Sequence, residues 1–208
     1  MTRNRDPFHQ ALGSLRLRVE QGLYGAGRPV VIAEEAQRLG LSTTPVREAL
    51  AWLAGAGLVE RAPLGGYVTP QLDSATVRDR FSFRLHCLRL SLESTGGLPA
   101  PLTPDEDSAR TLLHRDLDRL VQSSGSDALL DAFRRVSSRL SQICGAEEQV
   151  FADLDDEAAG ISTLLAQADI QALEAALGRY HHRRMEAAAL LVLEATAGAS
   201  SHQKGDPS

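Results

Sequence analysis

Leu39-Gly40-Leu41-Ser42-Thr43-Thr44-Pro45-Val46-Arg47-Glu48-Ala49-Leu50 is the stretch whose reading decides the fold. Gly40 stops a short helix that begins near Ala33, since glycine enters the left-handed conformation at a helix end without steric cost. Ser42, Thr43 and Thr44 offer hydroxyls to cap the next helix, and Pro45 sits where a first helical turn tolerates a missing N–H. That helix runs from Pro45 to about Ala56 and buries Val46, Leu50 and Leu53, with Trp52 expected to pack along a helix face.

On either side the pattern continues. Upstream, Leu12, Leu15, Leu17, Val19 and Leu23 form a helical stripe that ends at Gly25-Ala26-Gly27, and Pro29-Val30-Val31-Ile32 reads as a short extended piece. Downstream, Gly57 ends the helix, Leu58–Arg61 reads as a strand, Gly65-Gly66 as a turn and Tyr67-Val68-Thr69 as the returning strand, cut off by Pro70. Three helices followed by a hairpin make a winged helix-turn-helix. In that arrangement the second helix of the pair enters the DNA major groove with its N-terminal residues against the bases, here Ser42, Thr43, Thr44 and Arg47. Arg47 can pair bidentately with guanine.

After Asp73 no strand pattern remains. Helical periodicity runs through about 75–95, 105–122, 127–144, 147–167 and 169–195, broken at Thr95–Pro101 and Ser123–Ser126. The expected fold is therefore mainly α, a winged helix-turn-helix followed by an all-helical bundle. Its expected boundaries are a flexible arm at 1–9, a DNA-binding domain at 10–72, a helical domain at 73–197 and a disordered tail at 198–208. Leu85, Leu88, Leu92, Leu173, Leu177, Leu190, Leu191 and Leu193 supply more apolar surface than one bundle seam needs, and a homodimer contact is the expected use of the surplus.

Composition narrows the function. The chain carries a net charge of −5 but is asymmetric: residues 1–72 hold eight arginines against six carboxylates, and the remainder 14 cationic residues against 21 carboxylates. A mildly basic front on an acidic back suits a protein that approaches phosphate with one end. Aromatics are only 4%, so the cores must be built from aliphatic side chains. The start is charged rather than apolar, no run is long enough to span a membrane, and a cytoplasmic location follows as the expectation. Cys87 and Cys144 have neither zinc-ligand nor redox-pair spacing and read as reduced thiols, although a disulfide stays open. No phosphate loop, nucleophile elbow or metal cluster is present, so neither an enzyme nor a cofactor is expected. The alternative to DNA reading is a winged helix used as a protein-docking module.

The stretch Leu39–Leu50 also resembles the recognition-helix signature of GntR-family regulators, and Leu53, Gly57-Leu58-Val59 and Gly65-Gly66-Tyr67-Val68 continue the resemblance. It implies a homodimer that binds a short palindromic operator, most often as a repressor, with Gly65 and Gly66 in the wing. Three positions depart from the family: Thr43 stands where arginine is usual, Ala33 where a basic residue is, and Leu64 where one often precedes the wing glycine. Arg38 and Arg61 are candidates to compensate.

The helical part resembles the FadR-type branch, carried by Phe81-Ser82-Phe83-Arg84 and by Ile161–Tyr180. Many members of that branch hold a divalent metal through one aspartate and three histidines. The matching positions here are Leu130, Arg134, Ala158 and Tyr180, with His181 and His182 adjacent to the last, so no metal is expected. The resemblance implies instead a pocket for a small carboxylate or phosphate effector. Arg84, Arg134, Tyr180 and His181 are the candidate residues, and ion pairing of the arginines with protein carboxylates is the competing reading.

Overall fold

The structure, a computed structural model, describes residues 6–94, 98–99 and 108–202. Most of the 95–101 break, the first five residues of the expected arm and the tail beyond His202 lie outside the described residues. The remainder of the arm is corrected. Helix α1 spans Pro7–Glu20, because the Asp6 carboxylate accepts the Phe8 amide at 3.1 Å and Pro7 fits the first helical turn.

Residues of the front half then form β1 (Pro29–Val30), α2 (Ile32–Leu39), α3 (Thr43–Gly55), β2 (Glu60–Arg61) and β3 (Tyr67–Val68). Gly40 closes α2 at φ 65°, as a left-handed cap requires. The extended piece before α2 is the third strand of an antiparallel sheet ordered β1-β3-β2, with Pro29 opposite Val68 and Glu60 opposite the same residue. Thr69 locks this corner: its buried hydroxyl accepts the Arg28 amide at 3.0 Å and donates to the Gly25 carbonyl. Ala11, Leu15, Val46, Leu50, Leu53 and Leu58 form the core beneath.

Trp52 departs from expectation. Val46, Ala49, Leu50 and Leu53 form the buried stripe of α3, and Trp52 falls to its side, where it is 49% exposed.

The helical part comprises α4 (Ser74–Ser94), α5 (Ala109–Gln122), α6 (Asp127–Leu140), α7 (Cys144–Val150), α8 (Leu154–Gln167), α9 (Ile170–Glu186) and α10 (Ala188–His202). Three expected helices are thus divided. The 127–144 helix gives way at Leu140 to a 3-10 turn and then α7, the 147–167 helix is interrupted at the extended Phe151 between α7 and α8, and the 169–195 helix breaks at Ala187, the C-cap of α9. None of these breaks falls on a glycine or proline. Packing dictates the last: Ala188 and Leu191 of α10 bury against Val77, Phe81 and Ile143, which demands a change of direction after α9. Residues 198–202, expected in the tail, continue α10.

A second apolar cluster, including Leu88, Leu113, Leu117, Phe133, Leu173 and Leu177, joins α4, α5, α6, α8 and α9. Of the leucines singled out for a dimer contact, Leu85, Leu88, Leu92, Leu173, Leu177 and Leu191 are core. Only Leu190 and Leu193, 46% and 60% exposed, remain outside it.

Candidate nucleic-acid interface and helical-domain pocket

Helix α3 buries one face and leaves its N-terminal turn bare. Ser42 is its N-cap, with extended backbone (φ −72°, ψ 166°) and no side-chain cap bond, so its hydroxyl is not consumed by the helix. Thr43, Thr44 and Arg47 are exposed on the same end. Arg47 makes no ion pair among the described residues. The unsatisfied amides of a helix N-terminus point the same way as these side chains and favour an anion there.

The wing turn is built on two glycines with positive φ, Gly65 at 95° and Gly66 at 82°, and is held by Ala62 N–H donating to the Gly66 carbonyl at 3.1 Å. Leu64 stands fully exposed at its tip. Of the two arginines offered as compensation, both exposed, one is paired and the other has no ion pair among the described residues. Arg38 donates to Glu35 at 2.6 and 2.9 Å and to Ser14 at 2.9 Å, which ties α2 to α1. Arg61 opens onto a cleft shared with Arg80 and Arg139 of the helical part.

Residues 9–68 match the sequence model described as bacterial regulatory proteins, gntR family. Those residues therefore carry a DNA-binding domain of gntR type. Among solved structures, E. coli McbR/YncC is 17% identical with a TM-score of 0.63, over 88% of this chain and 97% of that one. A GntR protein from Rhodococcus sp. RHA1 is 15% identical with a TM-score of 0.68, over 87% of this chain and 96% of that one. At these identities the likeness is one of fold, extending over both halves. No curated protein matches the sequence.

In the helical domain the structure gathers three of the four effector candidates and removes the fourth. Arg84 is 2% exposed; its Nε donates to Ser137 Oγ at 3.0 Å and its Nη1 lies 3.1 Å from His181 Nε2. His181 Nδ1 faces the Leu177 carbonyl at 2.7 Å and must donate to it, which leaves Nε2 as the acceptor for Arg84. The imidazole is therefore neutral. Burial, then the Arg84 charge, holds its pKa well below the ordinary histidine value. Tyr180 stacks edge-on against His181 with ring centroids 5.0 Å apart, and burial raises its pKa.

Arg134 is on the outside of α6, in a bidentate pair with Asp118 at 2.6 and 2.7 Å. Of the readings open for it, the ion pair describes its position, with Asp118 rather than Asp131 as the partner.

The four positions that match the branch's metal ligands present two buried apolar side chains, Leu130 and Ala158, the exposed Arg134, and the phenol of Tyr180. That donor set does not fit a metal. Among the described residues no group of three histidines, cysteines or carboxylates is placed to hold one.

A cluster missed in the sequence lies beside this site. Arg184, 1% exposed, donates to Glu147 at 3.1 Å and Glu157 at 2.8 Å, and its guanidinium rests 3.4 Å above the Tyr180 ring. It fastens α9 to α7 and α8. An Arg in a helical stripe gives no advance notice of burial, so only the spacing of Glu147 and Glu157 around it in space could have exposed the triad. A cavity of about 240 Å3 adjoins it, lined by Ser108, His114, Cys144, Tyr180 and Arg184 among others. Burial and then Glu147 push the Cys144 thiol up to about 12, so it stays protonated and unreactive. Cys87 is likewise a free thiol.

Proposed function

We propose that the protein is a homodimeric repressor of the FadR-type branch that binds a short palindromic operator and is relieved by a small acidic ligand. The observation that carries the reading is the exposed set Ser42, Thr43, Thr44 and Arg47 at the N-terminus of α3, inside the segment matched by the gntR family. Arg47 reads a base edge, the hydroxyls meet phosphate or base acceptors, and the Gly65-Gly66 turn lets the wing backbone approach the duplex. With Thr43, Ala33 and Leu64 in place of basic residues, the dependence of affinity on salt is shallower than three further phosphate contacts would make it. The operator's two half-sites require a dimer. Phe83 and Leu90 on α4 and Leu190 and Leu193 on α10, all exposed on helices that pack together, supply its apolar face. No helix among the described residues is long and apolar enough to cross a membrane, and the site of action is the cytoplasm.

The acidic ligand is supported by Arg84. It is a buried cation whose partners among the described residues, Ser137 and neutral His181, carry no negative charge. An isolated buried charge is costly, and a carboxylate or phosphate beside it recovers that cost. Tyr180, edge-on against His181, lines a neighbouring cavity whose walls do not include Arg84, so a ligand there has to reach the guanidinium past these two rings.

The test is a gel shift on the DNA upstream of the protein's own gene, with Arg47→Ala beside the wild type. Sequence-specific binding that the substitution abolishes is the expected result. Absence of binding by the wild type at low salt, with and without a panel of small carboxylic acids, overturns the reading in favour of a protein-docking role.

A further inference from the structure

At the junction of the two halves, a cleft of about 570 Å3 opens between the carboxyl end of α3, the base of the wing and helices α4 and α6. Arg80 and Arg139 enter it from the helical domain, Arg61 and Glu60 from β2, and Ala54 and Gly57 form its floor. None of the three arginines makes an ion pair with a carboxylate among the described residues. Arg80 Nη1 donates to the backbone carbonyl of Arg139 at 3.3 Å, which holds the Arg80 side chain against the end of α6. The Nε of Arg139 is buried with no hydrogen-bond partner. Its guanidinium lies so close over Gly57 that a methyl group there would overlap it, and Gly57 itself has φ 73°.

Counting charge shows that the arrangement is not closed. Three guanidiniums face Glu60 and the carboxyl end of α3, which carries roughly half a negative charge. Asp73 is near Arg80 as well, its two oxygens accepting from the amide and hydroxyl of Thr76 at 2.8 and 2.6 Å. Three guanidiniums thus meet two carboxylates and the partial charge of a helix end, which leaves roughly half a positive charge over and, among the described residues, no ion pair on any of the three. Burial first, and then the neighbouring Arg139, lower the Arg80 pKa from its ordinary value, the signature of cations held together in a partly dry place.

We propose that this cleft is a binding site for a soluble oxyanion of the phosphate class, held by Arg80 and Arg139 with Arg61 at the rim. The planar donor forks of arginine match tetrahedral oxyanions, and a partly desolvated phosphate between them satisfies the orphaned Arg139 donor. Because the ligands come from both halves of the molecule, the bound anion fixes the winged helix against the helical domain. It thereby sets how the recognition helices of a dimer are presented.

The test uses the full chain and inorganic phosphate as the probe, titrated by calorimetry at constant ionic strength against chloride. Trp52, the sole tryptophan, lies on the neighbouring cleft that shares Gly55, and its fluorescence reports on the junction. Saturable binding with a Trp52 signal is expected in the wild type, weakened about tenfold or more in Arg139→Gln and less in Arg139→Lys, which keeps charge but loses the fork. Should Arg139→Gln fail to fold by circular dichroism, Arg61→Gln at the exposed rim takes its place, with a smaller loss expected. General salting effects of phosphate act equally on all variants and leave the difference between them intact. No saturable binding, or equal affinity in the folded variants, overturns the proposal. It is also overturned if phosphate does not bind while Arg139→Gln lowers the salt slope of operator binding by about one, because the arginines would then be DNA-backbone contacts.

Discussion

The arginines of the two halves are used in opposite ways. On α3, Arg47 is exposed and without an ion pair among the described residues, so it costs the fold nothing and is available to a partner. In the helical domain Arg184 and Arg84 are 1% and 2% exposed, and each is woven into the packing of several helices. The difference teaches that an arginine kept in water can be spent on recognition, whereas one taken out of water must first be satisfied by the protein itself. Arg184 has that satisfaction from two carboxylates. Arg84 has it only from neutral groups, Ser137 and His181.

The contrast can be broken most directly at Arg184. Arg184→Ala leaves Glu147 and Glu157 buried without their cation, and urea denaturation is expected to show a loss of about 3 kcal/mol. The low end of the range applies because Arg183 still reaches Glu157 at 3.4 Å. A loss under about 1 kcal/mol would mean that the triad behaves as a surface pair.

Arg47→Ala tests the other side of the comparison. About 1–3 kcal/mol of discrimination between operator and unrelated DNA is expected to disappear, with stability unchanged within about 0.5 kcal/mol. A large drop in thermal midpoint would show that Arg47 belongs to the fold rather than to the interface.

His181 sharpens the picture of the helical interior. Its pKa is depressed in the folded state, so below the ordinary histidine value the unfolded chain binds a proton that the folded chain refuses. Stability is therefore fully present at neutral pH and falls as pH drops through about 6.5. His181→Gln should flatten that fall in a melting series from pH 7.5 to 5, and an unchanged slope would assign it to other groups.

The smallest effect is expected at Arg134. Its pair with the half-buried Asp118 is open to solvent on the arginine side, so Arg134→Ala should change stability by less than about 1 kcal/mol. Any effector response should survive the substitution, since Arg134 lies apart from Arg84, Tyr180 and His181.

Legibility in the sequence followed the range of the interactions concerned. The α2–α3 turn was readable because its signals are local: a left-handed Gly40, a polar cap position and an apolar stripe at helical spacing. The start of α1 at Asp6-Pro7 was equally local, and its cap was readable, but the charged residues around it suggest an arm instead. Pairing of Pro29–Val30 with β3 was not readable, since a two-residue strand has too little pattern to name its partner. The break between α9 and α10 falls in a stretch rich in alanine and leucine, where helix propensity stays high and only burial of Ala188 and Leu191 dictates the turn.

By itself, then, the sequence determined the winged helix, its gntR-type signature and the exposed polar end of α3, because caps, glycines and stripes act over a few residues. Tertiary structure alone decided which arginines are buried, which are paired and which converge at the domain junction. Desolvation and charge pairing depend on neighbours brought from distant helices, and no local pattern encodes them.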